Sequence, residues 1–524
     1  MPGLERKWWT LIAVCTATFM LLLDITVVNV ALPDIQRSLH STFSDLQWVV
    51  DAYSLTLAAF LLTAGVLGDM FGRRVVFAIG LGLFSVSSLL CGVSSTALML
   101  NLARGAQGIG GAVMFATSLA LIASAFHGKE RGTAFGVYGA VIGGAVAVGP
   151  LIGGALTSGL GWRWIFFVNV PVGVVAIAVT LSRVQESKAV NERRIDWVGF
   201  VSFSAALFML VFALVRGNAN GWGSTLIMSL LLGSALLLVV FLVAEWRQSD
   251  PMLDLTLFRR PAVVGSSLVA MTLSGSIFAL FLYITLYVQD DLGYGPFAAG
   301  IRFLPITMLS FVVAPFAGKL SVRIKARYLL GSGLLLVALG LLLMSHVHAA
   351  SGWTALLPGF IVTGIGIGTV NPVLASAAIS VVPPERSGMA SGANNTFRQV
   401  GIATGIAGLG AVFQSQIQSK TLAGLGASPT GRAVLARGGA ALKQAITGGG
   451  VREAAAAIPS APARTLLDAY RAAFSTTFDH LMMIGVVVAA TGSICAYALV
   501  RERDFVPSYS PSEAAQEQPA VVAL

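Results

Sequence analysis

The sequence predicts an all-α polytopic membrane protein. Of its 524 residues, 56% are hydrophobic and only 11% are charged, and the mean hydropathy is +0.83. Soluble domains carry roughly 25% charged residues. Apolar runs of about 20 residues, the length that a helix needs to cross a bilayer, recur along the chain. Lys and Arg lie in the short gaps between these runs, so the net charge of +10 indicates membrane topology rather than a nucleic-acid partner.

Fourteen apolar segments are long enough to span a membrane. Their limits are 9–32, 46–69, 75–94, 97–124, 133–157, 164–182, 197–215, 224–245, 262–288, 297–317, 328–347, 354–382, 389–413 and 479–500. With the N-terminus inside, the inner gaps hold twenty Lys and Arg residues, and the short outer gaps hold only Arg37, Arg163, Arg216 and Arg302. This bias predicts a multi-pass protein of the plasma (inner) membrane with both termini in the cytoplasm. The long outer gap 414–478 is expected to form a mobile or partly helical cap.

Two pairs of similar segments indicate an internal duplication. GVLGDMFGRR at 65–74 matches GKLSVRIKAR at 318–327, an offset of 253 residues. KERGTAFG at 129–136 matches PERSGMASG at 384–392, and their Glu-Arg pairs are offset by 255 residues. Because the two offsets nearly agree, duplication is favoured over chance similarity of glycine-rich segments.

The duplication divides the chain into four predicted parts. They are an N-terminal six-helix bundle at 1–182, a linker with two inserted transmembrane helices at 183–261, a C-terminal six-helix bundle at 262–500 that includes the loop 414–478, and a cytoplasmic tail at 501–524. Two six-span halves around a site at the membrane midplane are a known transporter plan.

Three ionisable residues lie inside spans at a similar depth. Asp24 is about eight residues from the outer end of its span, Asp51 about five and Arg104 about seven, which at 1.5 Å per residue places all three in the outer half. A charge in the membrane is costly unless it is paired or hydrated. We therefore expect a shared polar cavity in which Asp24 and Asp51 bind protons and a cation while Arg104 modulates them. The alternative is a static ion pair that joins helices 1, 2 and 4. Gln107 shares the helix face of Arg104.

The loop motif at 65–74 places an acid and two arginines between apolar runs. Arg73 and Arg74 fit the positive-inside rule. Asp69 is expected to face the N-terminus of a helix in the opposite half, where negative charge is favoured, and to hold the cytoplasmic side shut. A topology signal alone would explain the arginines but not Asp69 or the neighbouring Gly65 and Gly72.

A second conformational element is expected in span 5. Gly149, Pro150, Gly153 and Gly154 remove side-chain bulk and one helix hydrogen bond. They are interpreted as a bending and sealing point between the halves, and close packing is the alternative.

Weaker candidates lie in spans 12 and 13. Asn371, Asn395, Arg398 and Gln399 either line an inner cavity or join helices by hydrogen bonds.

Taken in order, these motifs resemble the major facilitator superfamily and, more narrowly, its 14-span drug/proton antiporters of the QacA/EmrB type. The segments that carry the resemblance are LDITVVNVALP (23–33), GVLGDMFGRR (65–74), LNLARGAQGIGGA (100–112), GPLIGG (149–154), WRWIFFVNVPVG (162–173) and RIDWVGF (194–200). The resemblance implies a major facilitator fold with two extra central helices, proton coupling at the Arg104 motif and antiport at GPLIGG. One position departs from it, because Val322 stands in the second loop copy where Asp69 stands in the first. Only the first copy should therefore make the acid-dependent contact.

The sequence contains no GxxxxGK[ST] nucleotide-binding loop, no zinc motif and no soluble segment large enough for catalysis. We therefore expect a transporter rather than an enzyme, with no metal or cofactor and a proton gradient as its energy source. The resemblance implies export of amphipathic, cationic drugs by a monomer in the lipid bilayer, with no nucleic-acid partner. The alternatives are an exporter of a lipid or a self-made metabolite such as an antibiotic, and a receptor or scaffold without transport. The cost of burying Asp24, Asp51 and Arg104 argues against a scaffold.

Overall fold

The structure is a computed structural model that describes residues 5–41, 43–187, 196–248, 251–348, 351–448 and 451–505. Every regular element in these ranges is a helix. Arg194 of the RIDWVGF segment and most of the expected tail lie outside them, as does the side chain of Pro150.

The N-terminal half contains seven helices. They are α1 (Arg6–Leu39), α2 (Phe43–Phe71), α3 (Arg73–Gly92), α4 (Ala97–Ala125), α5 (Gly128–Gly159), α6 (Trp164–Phe167) and α7 (Asn169–Arg183). Their limits follow local signals. Gly72, with φ of 104°, separates α2 from α3 in a conformation that suits glycine. Thr96 caps α4 by accepting a hydrogen bond from the Met99 N–H at 3.2 Å.

Two helices follow that belong to neither repeat, α8 (Trp197–Asn220) and α9 (Thr225–Arg247). α8 packs against both halves, because its Val211 shares an apolar cluster with Leu55 of α2 and with Ala403 of the C-terminal half. α9 packs on α8 and exposes large apolar side chains such as Leu232 and Leu236. An exposed apolar face of this kind suits contact with lipid.

In the described residues, the C-terminal half contains nine α-helices. They are α10 (Pro261–Leu273), α11 (Ala279–Leu286), α12 (Pro296–Leu320), α13 (Ala326–Met344), α14 (Leu357–Ser380), α15 (Ser387–Gly426), α16 (Pro429–Gly448), α17 (Val451–Ala456) and α18 (Ser460–Leu499). A π-helical turn at Ser274–Phe278 joins α10 to α11.

The segment 414–478 is largely helical in the residues described. α15 continues through it to Gly426, and α18 begins within it at Ser460. Its Leu442 and Ile446 belong to the same apolar cluster as Leu466 of α18. The segment is therefore packed onto the core of the C-terminal half, which fits the helical form of the expected cap.

Thirteen helices in the described residues are long and apolar enough to span a membrane, whereas the sequence predicted fourteen spans. α5, the predicted span 5, is not among the thirteen, although it is a continuous helix of 32 residues. The polytopic helical architecture is thus observed with thirteen candidate spans.

Two of the helix pairs through which the halves meet are related by the internal repeat. We call the contact of α2 with α15 the first junction and the contact of α5 with α12 the second junction. A Cβ on Gly65 would collide with the backbone of Gly388 in the first, and a Cβ on Gly318 would collide with the backbone of Gly132 in the second. Gly65 and Gly318 are equivalent positions of the two loop motifs. Both contacts lie at the end of the bundle that holds Asp69, which we call the Asp69 end.

Candidate functional site

Asp24 lies in a buried hydrogen-bond network that joins three helices of the N-terminal half. Its Oδ2 accepts a hydrogen bond from Arg104 Nη1 at 2.5 Å, and its Oδ1 accepts from Gln107 Nε2 at 3.0 Å and from Asn169 Nδ2 at 3.1 Å. All four side chains are at most 3% exposed. Hydrogen bonds to an ionised group are the strong ones, and a buried carboxylate requires them. α1, α4 and α7 are therefore fixed around one charge.

Arg104 has further partners within the same half. Its Nε donates to the carbonyl oxygen of Val49 at 3.0 Å, its Nη1 also donates to Gln107 Oε1 at 2.7 Å, and its guanidinium carbon lies 4.2 Å from the centre of the Tyr53 ring. A buried guanidinium is stabilised by such stacking as well as by its acid. Since all of these partners belong to helices of the N-terminal half, this network lies inside the N-terminal bundle.

Asp51 forms a separate ion pair. Its Oδ2 lies 3.2 Å from the Nε of Arg216, a buried residue of α8, and the Arg216 guanidinium stacks 4.9 Å from the centre of the Trp48 ring. Trp48 in turn stacks on Phe212 of α8 at 5.4 Å. This pair links the N-terminal bundle to the first inserted helix.

The expected open cavity shared by Asp24, Asp51 and Arg104 is therefore wrong for this structure. Arg104 forms its ion pair with Asp24, which agrees with the alternative of a static ion pair. Asp51 forms an ion pair with a different arginine, Arg216. The physical reason is the length of α8, which continues to Asn220. Arg216, which the sequence assigned to an outer gap, consequently lies within a helix where it reaches Asp51.

Asp69 caps a helix of the opposite half. Its Oδ1 accepts a hydrogen bond from the Gly388 N–H at 2.9 Å, and its Oδ2 accepts from the Met389 N–H at 2.9 Å. These residues are the second and third of α15, whose first-turn N–H groups have no partner within the helix. The contact with a helix N-terminus that the sequence predicted is thus present, with Asp69 only 5% exposed.

Arg73 strengthens this contact from the same loop. Its Nε and Nη2 donate to Asp69 Oδ1 at 2.9 and 2.8 Å, and its Nη2 also donates to the carbonyl oxygen of Pro384 at 2.6 Å. Arg74 instead turns to Glu186, to which its backbone N–H donates at 2.9 Å. Glu186 also packs over Gly72, where a Cβ would collide with the carboxylate. Asp69 and Arg73 therefore bridge the halves, whereas Gly72 and Arg74 fasten the loop within its own half.

The glycines of span 5 do not seal the two halves in this structure. Gly149 and Gly153 pack against Thr26 and Val27 of α1, which belongs to the same half, and Gly154 faces open space. The expectation of a seal between halves is wrong here, because the part of α5 that reaches the opposite half lies closer to the Asp69 end. The close-packing alternative describes Gly149 and Gly153.

The weaker candidates separate into different contacts. Arg398 Nη2 donates to Asn371 Oδ1, which joins α15 to α14. Asn395 Nδ2 donates to the carbonyl oxygen of Phe115 at 3.4 Å, which joins α15 to α4 across the halves. Gln399 is partly buried beside them.

Sequence reasoning missed two residues of these networks. Asn169 completes the shell of Asp24 and also donates to Ser88 Oγ at 3.1 Å. It lies within the WRWIFFVNVPVG segment, so its position in a quoted motif was the available signal. Arg216 gave no such signal, because its partner is distant in sequence.

The described residues contain no group of three or more His, Cys, Asp and Glu side chains that could hold a metal ion. The polar side chains of these networks are instead amide, carboxylate and guanidinium groups that pair with one another. Such groups can exchange hydrogen-bond partners as helices move.

Comparisons with known proteins agree with this architecture. A family model described as Major Facilitator Superfamily matches residues 14–406. The multidrug resistance protein Stp of Mycobacterium tuberculosis is 38% identical over 411 residues, which are 78% of this chain and 76% of that protein. The puromycin resistance protein pur8 of Streptomyces alboniger is 37% identical over 412 residues, 78% of this chain and 82% of its own. The tetracenomycin C resistance and export protein of Streptomyces glaucescens is 34% identical over 413 residues, 79% of this chain and 77% of its own.

A solved structure supports the same fold. The human organic anion transporter MFSD10 (TETRAN) superposes with a TM-score of 0.60 at 14% identity, covering 93% of this chain and 100% of that one. With the family match covering most of the chain, this multi-pass membrane protein belongs to the Major Facilitator Superfamily.

Proposed function

We propose that the chain is a secondary exporter, which moves amphipathic small molecules out across the plasma membrane in exchange for protons. The observation that carries the proposal is the cap that Asp69 of one half places on α15 of the other. Its hydrogen bonds can be exchanged for water when the halves separate, so the contact is suited to opening and closing. The relatives named for multidrug resistance and antibiotic export support efflux as the direction.

In this proposal the Asp69 end faces the cytoplasm together with both termini, and the protein acts as a monomer. The excess of Lys and Arg in the gaps at this end supports the orientation. We take α5 as the fourteenth span, because its 32 residues reach about 48 Å and it lies between α1 and α12. The chain would then be a 14-span drug/proton antiporter of the QacA/EmrB type.

Asp24 is the proposed proton carrier. As a carboxylate it holds Arg104, Gln107 and Asn169. A proton on Asp24 would remove the charge that balances Arg104, and the guanidinium would need a new partner. Because the three donors lie on α4 and α7, protonation would change how α1 packs against both helices.

The charge of the substrate cannot be inferred from Asp24 and Asp51 in this structure. The family resemblance implies a cationic substrate, and the expected open cavity with two carboxylates would have bound it. Each carboxylate is paired with an arginine, so neither offers a free negative charge. The substrate is therefore proposed to be amphipathic, without a requirement for positive charge.

Transport into everted membrane vesicles tests this function. Vesicles with wild-type protein and an imposed proton gradient should accumulate puromycin or ethidium, and a protonophore should abolish the accumulation. Asp24→Asn should lower gradient-driven uptake by about tenfold or more, since one buried charge pair is lost. Asp34→Asn, which changes a more exposed acid of the same helix, is the matched control and should leave uptake unchanged. Uptake that is identical with and without the protonophore would overturn proton exchange.

Export of a self-made metabolite is a second candidate. It is favoured by a relative whose name refers to transport of one particular compound, the probable actinorhodin transporter of Streptomyces coelicolor, which is 33% identical over 457 residues. A deletion strain should then retain an endogenous compound that the wild type secretes. A deletion strain with unchanged secreted compounds and increased drug sensitivity would favour multidrug export over metabolite export.

A further inference from the structure

Arg398 is a partly buried arginine that forms no ion pair in the described structure. Arg73, Arg104 and Arg216 each pair with an aspartate. Arg398 donates through Nη2 to the amide oxygen of Asn371, while its Nε has no hydrogen-bond partner in the described structure. No described carboxylate interacts with it, and its electrostatic neighbour is the hydroxyl of Tyr138. The positive charge of Arg398 is therefore not compensated by any carboxylate in the described ranges.

Other donors beside Arg398 are unused as well. Asn371 is 3% exposed, and its Nδ2 has no hydrogen-bond partner among the described residues. The hydroxyl of Tyr138, from α5 of the opposite half, has no hydrogen-bond partner among the described residues. The next residue of α5, Gly139, packs against Pro372, which adjoins Asn371. Leaving buried donors unpaired costs free energy. An acceptor from outside the chain would satisfy them.

These groups lie at one depth, close to the middle of the molecule. At 1.5 Å per residue, Arg398 is about 16 Å from the start of α15, Tyr138 about 15 Å from the start of α5 and Asn371 about 14 Å from the end of α14. All three helix ends are at the Asp69 end, and the hydrocarbon core of a bilayer is about 30 Å thick. The midplane between two halves is where transporters of this plan bind substrate.

The surroundings suit a ligand with an apolar body. Tyr138 belongs to an apolar cluster that spans both halves and includes Leu21, Ile142 and Ala375. Binding sites for small molecules are commonly apolar with a few convergent polar groups. Here the convergent groups are a guanidinium, an amide NH2 and a hydroxyl, with no carboxylate among them.

We infer that Arg398, Asn371 and Tyr138 form the substrate site and bind an anionic oxygen group, such as a carboxylate or an ionised enol or phenol, on an amphipathic substrate. The inference rests on the proposed export function and gives its substrate a charge. The guanidinium supplies the charge and a planar pair of donors, for which a carboxylate is the geometric match. The amide and the hydroxyl supply further donors from two other helices.

Equilibrium binding to the purified full chain in nanodiscs tests the site with three fluorescent probes of one shape. They are anthracene-9-carboxylate, its neutral carboxamide and the cationic 9-(aminomethyl)anthracene. The carboxylate should bind about tenfold tighter than the amine or more, because only it can pair with Arg398. Arg398→Gln should remove this preference and leave the carboxamide unaffected, whereas Arg398→Lys should retain part of it.

Asn371→Asp tests the site independently of the Arg398 variants. It keeps Arg398 and replaces an amide by a carboxylate of nearly the same shape. The new carboxylate should pair with Arg398, as in the other three pairs, and weaken binding of the carboxylate probe by about tenfold. Arg302→Gln is the matched control, since Arg302 is another partly buried arginine of this half whose described partners are a carbonyl oxygen and aromatic rings. It should bind all three probes like the wild type. Thermal unfolding of each variant shows whether it is folded.

The inference would be overturned if the wild type bound no carboxylate probe, if it bound the amine as tightly, or if Arg398→Gln kept the preference. The vesicle transport assay distinguishes a failure of this inference from a failure of the proposed export function. Gradient-driven ethidium export without carboxylate binding would reject the anion site and keep the exporter. Carboxylate binding without gradient-driven movement of any probe would keep the site and reject proton-coupled export.

Discussion

The first and second junctions start from the same repeated sequence but differ in how they hold the halves together. Both bring two backbones together at glycines, Gly65 against Gly388 and Gly318 against Gly132. In the first, Asp69 is 5% exposed and caps α15, whereas its counterpart Val322 in the second is 46% exposed. The acid-dependent contact therefore exists in one junction only.

The facing helices explain why the second junction has no use for an acid. α15 begins at Ser387, so the N–H groups of Gly388 and Met389 are free for Asp69. α5 begins at Gly128, four residues before Gly132, so the N–H groups of Gly132 and Thr133 are already bonded within the helix. The position where a helix starts thus decides whether the loop motif can cap it. Backbone packing is common to both junctions, and the cap is particular to the first.

The largest effect should come from filling the shared glycine contact. Gly65→Val and Gly318→Val each force a side chain into a facing backbone, which costs about 1–3 kcal/mol or more in the closed state. Both should therefore lower vesicle transport by about tenfold or more. Gly82→Val, at a glycine with open space around it, should have little effect. A variant at 318 with normal transport, beside an inactive one at 65, would show that the second junction does not close.

The next effect should separate the two junctions. Asp69→Asn keeps the side-chain size but loses the charge that binds two N–H groups and Arg73. Hydrogen bonds to a charged group contribute about 1.5–3 kcal/mol each, so transport should fall by about tenfold. Val322→Ala, the equivalent change in the second junction, should stay within about twofold of the wild type. Equal losses in vesicle transport would mean that the cap adds nothing to the packing.

A smaller effect is expected when the missing acid is supplied. Val322→Asp places a carboxylate opposite α5, where the N–H groups are already used. Because the position is exposed, we expect transport within about twofold of the wild type and no rescue of Asp69→Asn in the double variant. A double variant that recovers wild-type transport would show that α5 can be capped, which would remove the proposed difference between the junctions.

The smallest effect should come from the periphery of the first junction, where Arg386 pairs with Asp254. Partial burial raises the pKa of the Asp254 carboxyl, but hydrogen bonds from Thr256 and Arg386 outweigh it, so the pKa lies below its ordinary value. The pair is then present above the ordinary pKa of about 4 and is lost only as the pH falls through the lowered value. Asp254→Asn should change transport by less than about twofold at any pH between 5 and 8, since partly exposed pairs contribute about 1 kcal/mol or less. A pH-dependent loss in this range, measured in vesicles, would contradict the assignment.

The sequence predicted the contacts that follow from local rules and missed those that depend on packing. Asp69 could be assigned to a helix N-terminus because negative charge is favoured there and because a topology signal explains the arginines but not the acid. Depth placed Asp24 near Arg104, but it placed Asp51 there as well and so could not choose between the two acids. Asp51 could not be paired with Arg216, because charge counting treats an arginine near a span end as part of a loop. The length of α8 and its packing against α2 decide that contact.

The glycines of span 5 show the same limit. Gly149 and Gly153 are small enough to meet either neighbouring helix, and the sequence does not say which one. Only the packing of α5 between α1 and α12 resolves the choice. Similarly, Arg398 and Asn371 were candidates for a cavity or a helix bridge, and the orphaned donors that distinguish these roles are visible only in three dimensions.

Distances across the two junctions test the capping account most directly. Spin labels at positions 71 and 385 report on the first junction, and labels at 127 and 323 report on the second; all four residues are exposed. Because each half moves as a unit in this account, Asp69→Asn should shift both pairs from short towards long distances in double electron–electron resonance, while Val322→Ala should shift neither. Unchanged distributions in Asp69→Asn, or equal shifts in the two variants, would contradict the claim that one capped helix holds this end of the protein closed.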